Sequence, residues 1–310
     1  MAHRIGIIGL GKIAQDQHVP VIRGNRAFEL LAVSSQRGMA VDGVPHAFTD
    51  YREMLKQPGL DAVAICTPPQ VRHVIAREAL AAGKHVLLEK PPAATLSELE
   101  DLKRQAAHAG KVVFTTWHSQ YNQGVDQARQ ALHGQRVKRL LVNWKEDVRR
   151  WHPGQAWIWE AGGFGVFDPG INALSIVTKI MPEPIFVKRS ELQVPANKDA
   201  PIAAELEFTA GREGEDLRAV FDWRQTGPQS WDIEVETEAG SRLELSNGGS
   251  RLAIDGRLAV EEKPAEYEGI YERFDALLRQ GRSEIDADPF RLVADAFMIG
   301  RRVLVDPFED

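Results

Sequence analysis

Cysteine is nearly absent from this chain of 310 residues, which contains a single one, Cys66. One thiol can form neither an internal disulfide nor a cysteine-rich metal site. Cys66 ends the apolar run 62–66, where a buried small side chain is expected. Long apolar runs are also absent, since stretches such as 5–10 fall far short of the roughly 20 residues that span a bilayer. These absences exclude a disulfide scaffold and a membrane-spanning protein.

A surplus of basic residues is lacking as well. The 38 Lys and Arg residues are outnumbered by 44 Asp and Glu, for a formal net charge of −6. Nucleic acids and anionic membranes both require a basic face, so neither partner is expected. The first residues lead directly into an apolar strand, without the apolar segment of a signal peptide. We therefore expect a soluble, cytoplasmic protein that binds a small molecule.

Short apolar strands alternate with amphipathic helices through the first third of the chain. The predicted strands span residues 4–9, 28–34, 62–67, 85–89 and 111–116. In one predicted helix an apolar face carries Val71, Val74, Ile75, Ala79 and Ala82. Another predicted helix starts with a capping box of Thr95 and Glu98. This order is typical of an α/β domain, a doubly wound parallel sheet of the Rossmann type, which we expect over residues 1–118.

A glycine-rich turn follows the first predicted strand. Gly9 and Gly11 permit a tight turn and a close backbone approach to a pyrophosphate, and Ala14 takes the third small position of G-x-G-x-x-A. Lys12 and Ile13 begin the next helix, whose N-terminus favours the negative charge of the pyrophosphate. Between a strand and a helix, this motif predicts a dinucleotide-binding site.

The end of the second strand bears on the choice between NAD and NADP. NAD enzymes usually place a carboxylate there, which binds the ribose 2′-hydroxyl. This chain has Ser34, Ser35, Gln36 and Arg37 instead, so donors and a guanidinium are available to a 2′-phosphate. The pattern favours NADP, with NAD also possible; the alternative is that Arg37 is merely a solvated loop charge.

Further cofactor contacts are expected where the other strands end, because ligands of such sheets bind outside the carboxyl ends of the strands. These candidates are Thr67, Pro68, Pro69, Glu89, Lys90 and Trp117.

The alternating rhythm breaks after His118. Strands such as the one with Ala204, Leu206 and Phe208 on one face are separated by glycine-rich turns. We therefore expect an α+β domain with an open, mostly antiparallel sheet over residues 119–310. Two amphipathic helices are predicted within it, over 267–280 and 288–304.

Residues 144–160 mix four tryptophans with acidic and basic side chains. Aromatic faces suit the C–H side of a sugar, and carboxylates or imidazole suit its hydroxyls. We select Glu146, Trp151 and His152 as sugar-binding candidates, with His118 and Trp231 as weaker ones; the alternative is an aromatic cluster at a sheet edge. The histidine and carboxylate spacings of known metal motifs are missing, so no metal is expected.

The runs GLGKIA, CTPP and EKPP together resemble the glucose-fructose oxidoreductase and inositol dehydrogenase family (Gfo/Idh/MocA). The longer runs WKEDVRRWHPGQAWIWE and GVFDPGINALSIVTKI are similar to the aldose 1-dehydrogenase subgroup of that family, and the similarity covers essentially the whole chain. In the wider family, the lysine of E-K-P and a D-x-x-x-H motif surround the nicotinamide and the substrate. The matching residues here are Lys90, Asp168 and Asn172, and the asparagine departs from the family's histidine.

The resemblance implies an NADP-preferring enzyme that oxidises C1 of D-galactose, L-arabinose or both to the lactone, and a homo-oligomer, by default a dimer. Asp168 is then the general base, Asn172 orients the sugar, and Lys90 stabilises the developing alkoxide. Lys90 remains an alternative base, and Asp168 before Pro169 is also compatible with a helix N-cap. Another sugar or polyol dehydrogenase, or a non-catalytic NADP-binding regulator, are the alternative functions.

Overall fold

The computed structural model describes residues 2–309 and divides into two compact units. The first unit comprises Met1–His118 and Glu266–Ala287, and the second comprises Ser119–Ala265 and Asp288–Asp310. Helices and strands are labelled below in chain order. No helix in the described part of the chain combines the length and the apolar character needed to cross a membrane.

The first unit is built on a six-stranded parallel sheet with the order β3-β2-β1-β4-β5-β6. Its strands are β1 (His3–Ile8), β2 (Phe28–Ser34), β3 (His46–Phe48), β4 (Ala62–Ile65), β5 (His85–Leu88) and β6 (Val113–Thr115). Its helices are a π-helical turn (Ala14–His18), α1 (Val19–Gly24), α2 (Tyr51–Leu55), α3 (Pro69–Ala81), α4 (Leu96–Ala109) and α8 (Glu266–Gln280).

Strand β1 lies at the centre of this sheet, with β2 on one side and β4 on the other. Its Ile5 and Ile7 are fully buried, as expected for a strand covered on both faces. The order of the strands reverses beside β1, and this is the position at which doubly wound sheets bind ligands. The predicted Rossmann fold is thus confirmed, with the glycine turn at the reversal.

Most local predictions for this unit hold. All five predicted strands are present, and Thr95 and Glu98 form the predicted capping box at the start of α4. The predicted face of α3 holds only in part, because Ile75 and Ala79 are buried whereas Val71 and Val74 are 47% and 51% exposed. Arg72 is buried on this helix, and its Nη1 donates to the Glu89 carbonyl at 2.5 Å.

The segment Glu266–Ala287 belongs to the first unit, which differs from the continuous division at residue 118 expected above. Its α8 packs aromatic rings against the sheet: Phe274 stacks on Phe28 with centroids 5.9 Å apart, and Tyr271 meets the same ring edge-on at 5.3 Å. Beyond α8, Glu284 pairs with Phe114 of β6 in a parallel bridge. These contacts between residues distant in sequence have no local signal.

The second unit is built on a nine-stranded sheet with the order β14-β13-β12-β11-β7-β10-β9-β8-β15. Its strands are β7 (Val137–Lys145), β8 (Phe186–Pro195), β9 (Ala203–Thr209), β10 (Asp216–Asp222), β11 (Ser230–Thr237), β12 (Arg242–Ser246), β13 (Arg251–Ile254), β14 (Arg257–Glu261) and β15 (Arg301–Val305). Its α-helices are α5 (Gln123–Leu132), α6 (Val148–Trp151), α7 (Phe167–Ile180) and α9 (Asp288–Ile299).

Only the β7/β10 and β8/β15 pairs of this sheet, among the described residues, are parallel, which confirms the expected mostly antiparallel sheet. One face is apolar and packs on α7, where Phe167 meets Phe221 at 5.7 Å. The other face carries exposed charged side chains such as Glu205 and Arg218. The helix predicted over 288–304 is wrong at its end, because α9 stops at Ile299 and residues 301–305 form β15 beside β8.

Candidate functional site

The glycine turn of the first unit has the geometry that its sequence predicts. Gly9 has a φ of +93°, and a Cβ there would lie 3.0 Å from Thr67, so only glycine fits without strain. The chain becomes helical at Lys12, and Ala14 is fully buried at the start of the π-helical turn. The turn therefore directs the N-terminus of a helix toward the carboxyl end of β1.

One observation in this turn and one beside it fit a bound dinucleotide. A Cβ placed on Gly11 would meet no atom within 4 Å, so open space lies beside the backbone that a pyrophosphate is expected to approach. Oγ1 of Thr67 is buried and has no hydrogen-bond partner among residues 2–309, so a polar atom is available at the predicted cofactor site. The residues present thus suit the cofactor of the fold.

The end of β2 also keeps its predicted character. Ser34 and Ser35 are buried, whereas Gln36 and Arg37 are exposed in the turn that follows. The amide of Ser35 donates to the Phe48 carbonyl at 2.9 Å, which fixes the start of this turn against β3. An amide and a guanidinium therefore face solvent where a 2′-phosphate is expected.

Lys90 follows β5 and precedes a cis peptide bond to Pro91. Its backbone N–H donates to Oε2 of Glu89 at 2.9 Å. The other oxygen of that carboxylate, Oε1, accepts from Nε2 of His18 at 2.9 Å and from the hydroxyl of Tyr267 at 2.8 Å. Glu89, a predicted cofactor contact, thus has its carboxylate in the interior, where it anchors the Lys90 backbone.

Charge stabilises this arrangement. Burial by itself raises the pKa of Glu89, but the hydrogen bond and the charge of His18 outweigh it and bring the pKa down to about 2. Burial likewise lowers the pKa of His18, but interactions with Cys66 and Tyr271, together with the hydrogen bond to Glu89, leave that pKa well above its usual value of 6.5. The two groups therefore form a buried ion pair, and Nδ1 of the imidazole bonds to the Tyr271 hydroxyl at 2.7 Å.

His118 and Trp117 lie in the same unit. Nδ1 of His118 lies 2.9 Å from Oε2 of Glu266, and its ring stacks on Tyr267 at 5.6 Å. Burial lowers the pKa of His118, but the Glu266 carboxylate reverses the effect and the pKa is raised. Trp117 is buried and donates its indole N–H to the Asp286 carbonyl at 3.1 Å.

In the second unit, the backbone pairing of β7 with β10 continues past both strands. The Glu146 amide donates to the Asp222 carbonyl at 3.0 Å, and the Val148 amide donates to the Trp223 carbonyl at 3.1 Å. This ladder sets Glu146 beside Trp223, whose indole N–H donates to Oε1 of the carboxylate at 3.3 Å. Trp231 of β11 donates to Oε2 at 3.0 Å, so each oxygen of the buried carboxylate accepts an indole N–H.

His152 ends the short helix α6, where its amide donates to the Val148 carbonyl at 2.8 Å. Its Nε2 lies 3.7 Å from Oε1 of Glu146 and 3.6 Å from Oδ2 of Asp168. Its ring packs against Trp223 with centroids 5.2 Å apart. Four of the predicted sugar-site residues, Glu146, His152, Asp168 and Trp231, are thus brought together within this unit.

Asp168 lies in the first turn of α7, whose N-cap is Val166, so the structural alternative of an N-cap aspartate is wrong. Its position depends on Gly165, where φ is +52° and a Cβ would lie 2.3 Å from the Pro201 carbonyl oxygen. Asn172 follows one turn later on the same helix and is half-buried. The two residues therefore lie four positions apart on one helix, where such a spacing places them on the same face.

The tryptophans of 144–160 divide between packing and surface. Trp144 and Trp159 are buried, which agrees with the alternative of an aromatic cluster, whereas Trp151 is 37% exposed. The ring of Trp151 lies 5.4 Å from that of Trp231, and its N–H donates to Oε1 of Gln229 at 3.3 Å. Trp151 therefore presents an aromatic face to solvent next to Trp231, whose indole N–H donates to the Glu146 carboxylate.

Several residues of these networks have no signal in the sequence. His18 of the π-helical turn and Tyr267 of α8 bond to Glu89, and Tyr271 of α8 bonds in turn to His18. Trp223, which follows β10, bonds to Glu146. No group of three or more His, Cys, Asp or Glu side chains within 2–309 is arranged to hold a metal ion.

Comparison of the sequence and the fold with known proteins identifies relatives of this chain. Residues 3–117 match the Gfo/Idh/MocA oxidoreductase family, described by its NAD-binding Rossmann fold. The chain is 46% identical to galactose 1-dehydrogenase of Pseudomonas fluorescens over 309 residues, 99% of each chain. The crystal structure of D-galactose-1-dehydrogenase from Rhizobium etli superposes with a TM-score of 0.94 at 50% identity, covering 99% of this chain and 98% of that one.

A more distant structure shares the fold alone. It is a 3-ketoreductase from Actinomadura kijaniata in complex with NADP and TDP-benzene, with a TM-score of 0.84, 18% identity, and coverage of 98% of this chain and 100% of that one.

Proposed function

Because the chain belongs to the Gfo/Idh/MocA family of oxidoreductases, we propose that it is an aldose 1-dehydrogenase that oxidises C1 of D-galactose, L-arabinose or both. The oxidant is a nicotinamide dinucleotide held by the Rossmann fold of the first unit. The full-length similarity to galactose 1-dehydrogenases supports the substrate class.

The observation that carries the proposal is the cluster of Glu146, His152, Asp168 and Trp231 in the second unit. It joins two buried carboxylates and an imidazole to tryptophan rings, and such a mixture suits the two sides of a sugar ring. Trp151, exposed beside Trp231, adds an aromatic face. Galactose differs from arabinose by one hydroxymethyl group, so the size of the pocket around that group decides the preference.

In the proposed reaction, a nicotinamide dinucleotide held at the glycine turn would supply the acceptor for the hydride of C1. Asp168 takes the proton of the C1 hydroxyl, and Asn172 donates hydrogen bonds that orient the sugar, since its amide cannot act as a base. Lys90 stabilises the negative charge that develops on the hydroxyl oxygen, and its backbone is held by the buried Glu89. Lys90 is the second candidate for the base.

For the cofactor we propose a preference for NADP, with NAD as a weaker alternative. Gly9, Gly11 and Lys12 form the turn for the pyrophosphate, and Thr67 offers a buried hydroxyl. The exposed Gln36 and Arg37, with no carboxylate between residues 34 and 37, support binding of a 2′-phosphate.

The experiment that tests this function follows the absorbance of reduced cofactor when the purified protein is mixed with NADP or NAD and each of several aldoses. We expect reduction with D-galactose, L-arabinose or both. Binding of NADP without reduction by any aldose would contradict the proposal and favour a regulatory role. Release of a sugar from a glycoside without net cofactor reduction would point instead to glycoside cleavage.

We also propose a cytoplasmic homodimer. The dimer is what the resemblance to the family implies, because members resembling this chain use the outer face of such a sheet for dimerisation. A single, buried cysteine suits a reducing compartment. Light scattering coupled to size-exclusion chromatography measures the oligomeric state directly.

A further inference from the structure

His152 stands between two carboxylates of the second unit. Its Nε2 is 3.6 Å from Oδ2 of Asp168 and 3.7 Å from Oε1 of Glu146, slightly longer than a hydrogen bond in both cases. The side chains of His152, Glu146 and Asp168 are 16%, 7% and 6% exposed. A movement of a few tenths of an ångström therefore brings this nitrogen into hydrogen-bond contact with either carboxylate.

The remainder of the site limits where a proton can go. Asn172, one turn beyond Asp168 on α7, carries an amide that accepts no proton. Glu146 is fixed by the indole N–H groups of Trp223 and Trp231, one on each oxygen. Imidazole is the side chain that gains and loses a proton most readily near neutral pH, and Nε2 of His152 faces the proposed base.

We propose that His152 is a proton relay, which accepts from Asp168 the proton that the sugar hydroxyl releases during oxidation. This inference rests on the proposed aldose 1-dehydrogenase function. It differs from the sugar-binding role predicted for His152 from the sequence, because the imidazole acts on Asp168 and not on a sugar hydroxyl.

The step balances as follows. The O–H bond at C1 breaks and its proton passes to the Asp168 carboxylate, while the C1–H bond breaks and its electron pair leaves as hydride to the nicotinamide dinucleotide. A C=O double bond forms from the electron pair of the former O–H bond. The new O–H of Asp168 then gives its proton to Nε2 of His152, which restores the carboxylate and leaves an imidazolium.

Glu146 has a defined part in this scheme. Its carboxylate lies beside the same nitrogen, so its negative charge stabilises the imidazolium at the moment it forms. The indoles of Trp223 and Trp231 keep it in that position, and the ring of Trp223 also packs on the imidazole. Trp223 is therefore a positioning residue for the relay.

The test compares His152→Gln with the wild type in steady-state oxidation of galactose and arabinose. Glutamine keeps a hydrogen-bonding group of similar reach but accepts no proton. We expect kcat to fall about 10²-fold, within the range for loss of a proton-transfer group, and the sugar KM to change by less than about threefold. The matched control is His133→Gln, at an exposed histidine of the same unit, which should retain wild-type kinetics.

A second variant separates proton transfer from packing. His152→Ala removes the ring, and added imidazole should restore part of its kcat in a concentration-dependent manner, as expected for a missing proton acceptor. Calorimetric binding of the sugar to His152→Gln, measured without turnover, should give a dissociation constant close to that of the wild type.

Each outcome decides a different claim. If the wild type oxidises an aldose but His152→Gln raises KM or weakens sugar binding tenfold with kcat nearly unchanged, His152 only binds sugar and the relay is wrong. Absence of imidazole rescue, with His152→Ala folded, would also overturn the relay. If the wild type oxidises no aldose, the proposed function itself fails and the relay fails with it.

Discussion

His18 and Glu89 form a buried ion pair, with Nε2 of the imidazole 2.9 Å from Oε1 of the carboxylate. The second carboxylate oxygen accepts the backbone N–H of Lys90. One buried carboxylate thus links the π-helical turn after the glycine motif to the residue proposed to face the substrate. The pair stabilises the first unit and fixes the backbone at Lys90.

We expect Glu89→Gln to lower the melting temperature most between about pH 4.5 and 6.5. The depressed pKa of Glu89, about 2 against a usual 4.5, adds stability that is present above pH 4.5 and is lost as the pH falls toward 2. The raised pKa of His18 adds stability that is present below pH 6.5 and is lost as the pH rises through that raised value. Breaking such a buried pair costs about 3–5 kcal/mol.

Calorimetric melting of both proteins across this pH range measures the effect. Equal losses at every pH would contradict the ion pair, because a purely packing defect is independent of these two titrations.

The hydrogen bonds from Trp223 and Trp231 to the Glu146 carboxylate predict different kinetic effects for different tryptophan variants. Trp223→Phe keeps an aromatic ring against His152 but removes the N–H bonded to the carboxylate, so we expect kcat/KM to fall about tenfold, as for a lost hydrogen bond to a charged group. Trp144→Phe is the matched control, since Nε1 of Trp144 has no hydrogen-bond partner among residues 2–309. Similar kinetics for the two variants, with both folded, would show that the Trp223 hydrogen bond to Glu146 does not contribute to catalysis.

Arg37→Ala tests the proposed 2′-phosphate contact. Arg37 is exposed after β2, so the substitution should leave folding intact, and loss of a charge-assisted bond to phosphate should raise the KM for NADP about tenfold. The KM for NAD, which lacks that phosphate, should stay within about twofold. An unchanged KM for NADP would show that Arg37 is only a solvated loop charge.

The choice of base is tested with Asp168→Asn and Lys90→Met. Without its base, Asp168→Asn should lose about 10²- to 10⁴-fold in kcat and regain rate steadily as the pH rises, because hydroxide replaces the carboxylate. Lys90→Met should have a reduced kcat, and this kcat should depend on pH at the acidic end in the same way as that of the wild type. If instead Lys90→Met regains rate as the pH rises and Asp168→Asn keeps the wild-type profile, Lys90 is the base.

The predicted architecture rests on local signals that the structure preserves. The turn at Gly9 has the positive φ that glycine permits, and the Thr95 capping box starts α4. In β9, buried apolar residues alternate with more exposed polar ones, as the alternation in the sequence predicts. Such features depend on neighbours a few residues apart, so they are visible in the sequence.

What the sequence leaves undetermined depends on distant contacts. Strand β3 has three residues, too few for a periodic pattern, and Glu266–Ala287 belongs to the first unit through contacts such as Phe274 on Phe28. The same holds at the candidate site. The Glu146 candidate follows from composition, but its partner Trp223 lies 77 positions away and is placed only by the pairing of β7 with β10.

The central claim, hydride transfer from C1 of an aldose, is tested most directly with D-galactose deuterated at C1. The purified enzyme is incubated with this sugar and NADP, and both products are examined by mass spectrometry. We predict one deuterium in the reduced cofactor, a lactone or aldonic acid without deuterium, and a slower rate than with ordinary galactose. Deuterium retained in the oxidised sugar would contradict oxidation at C1.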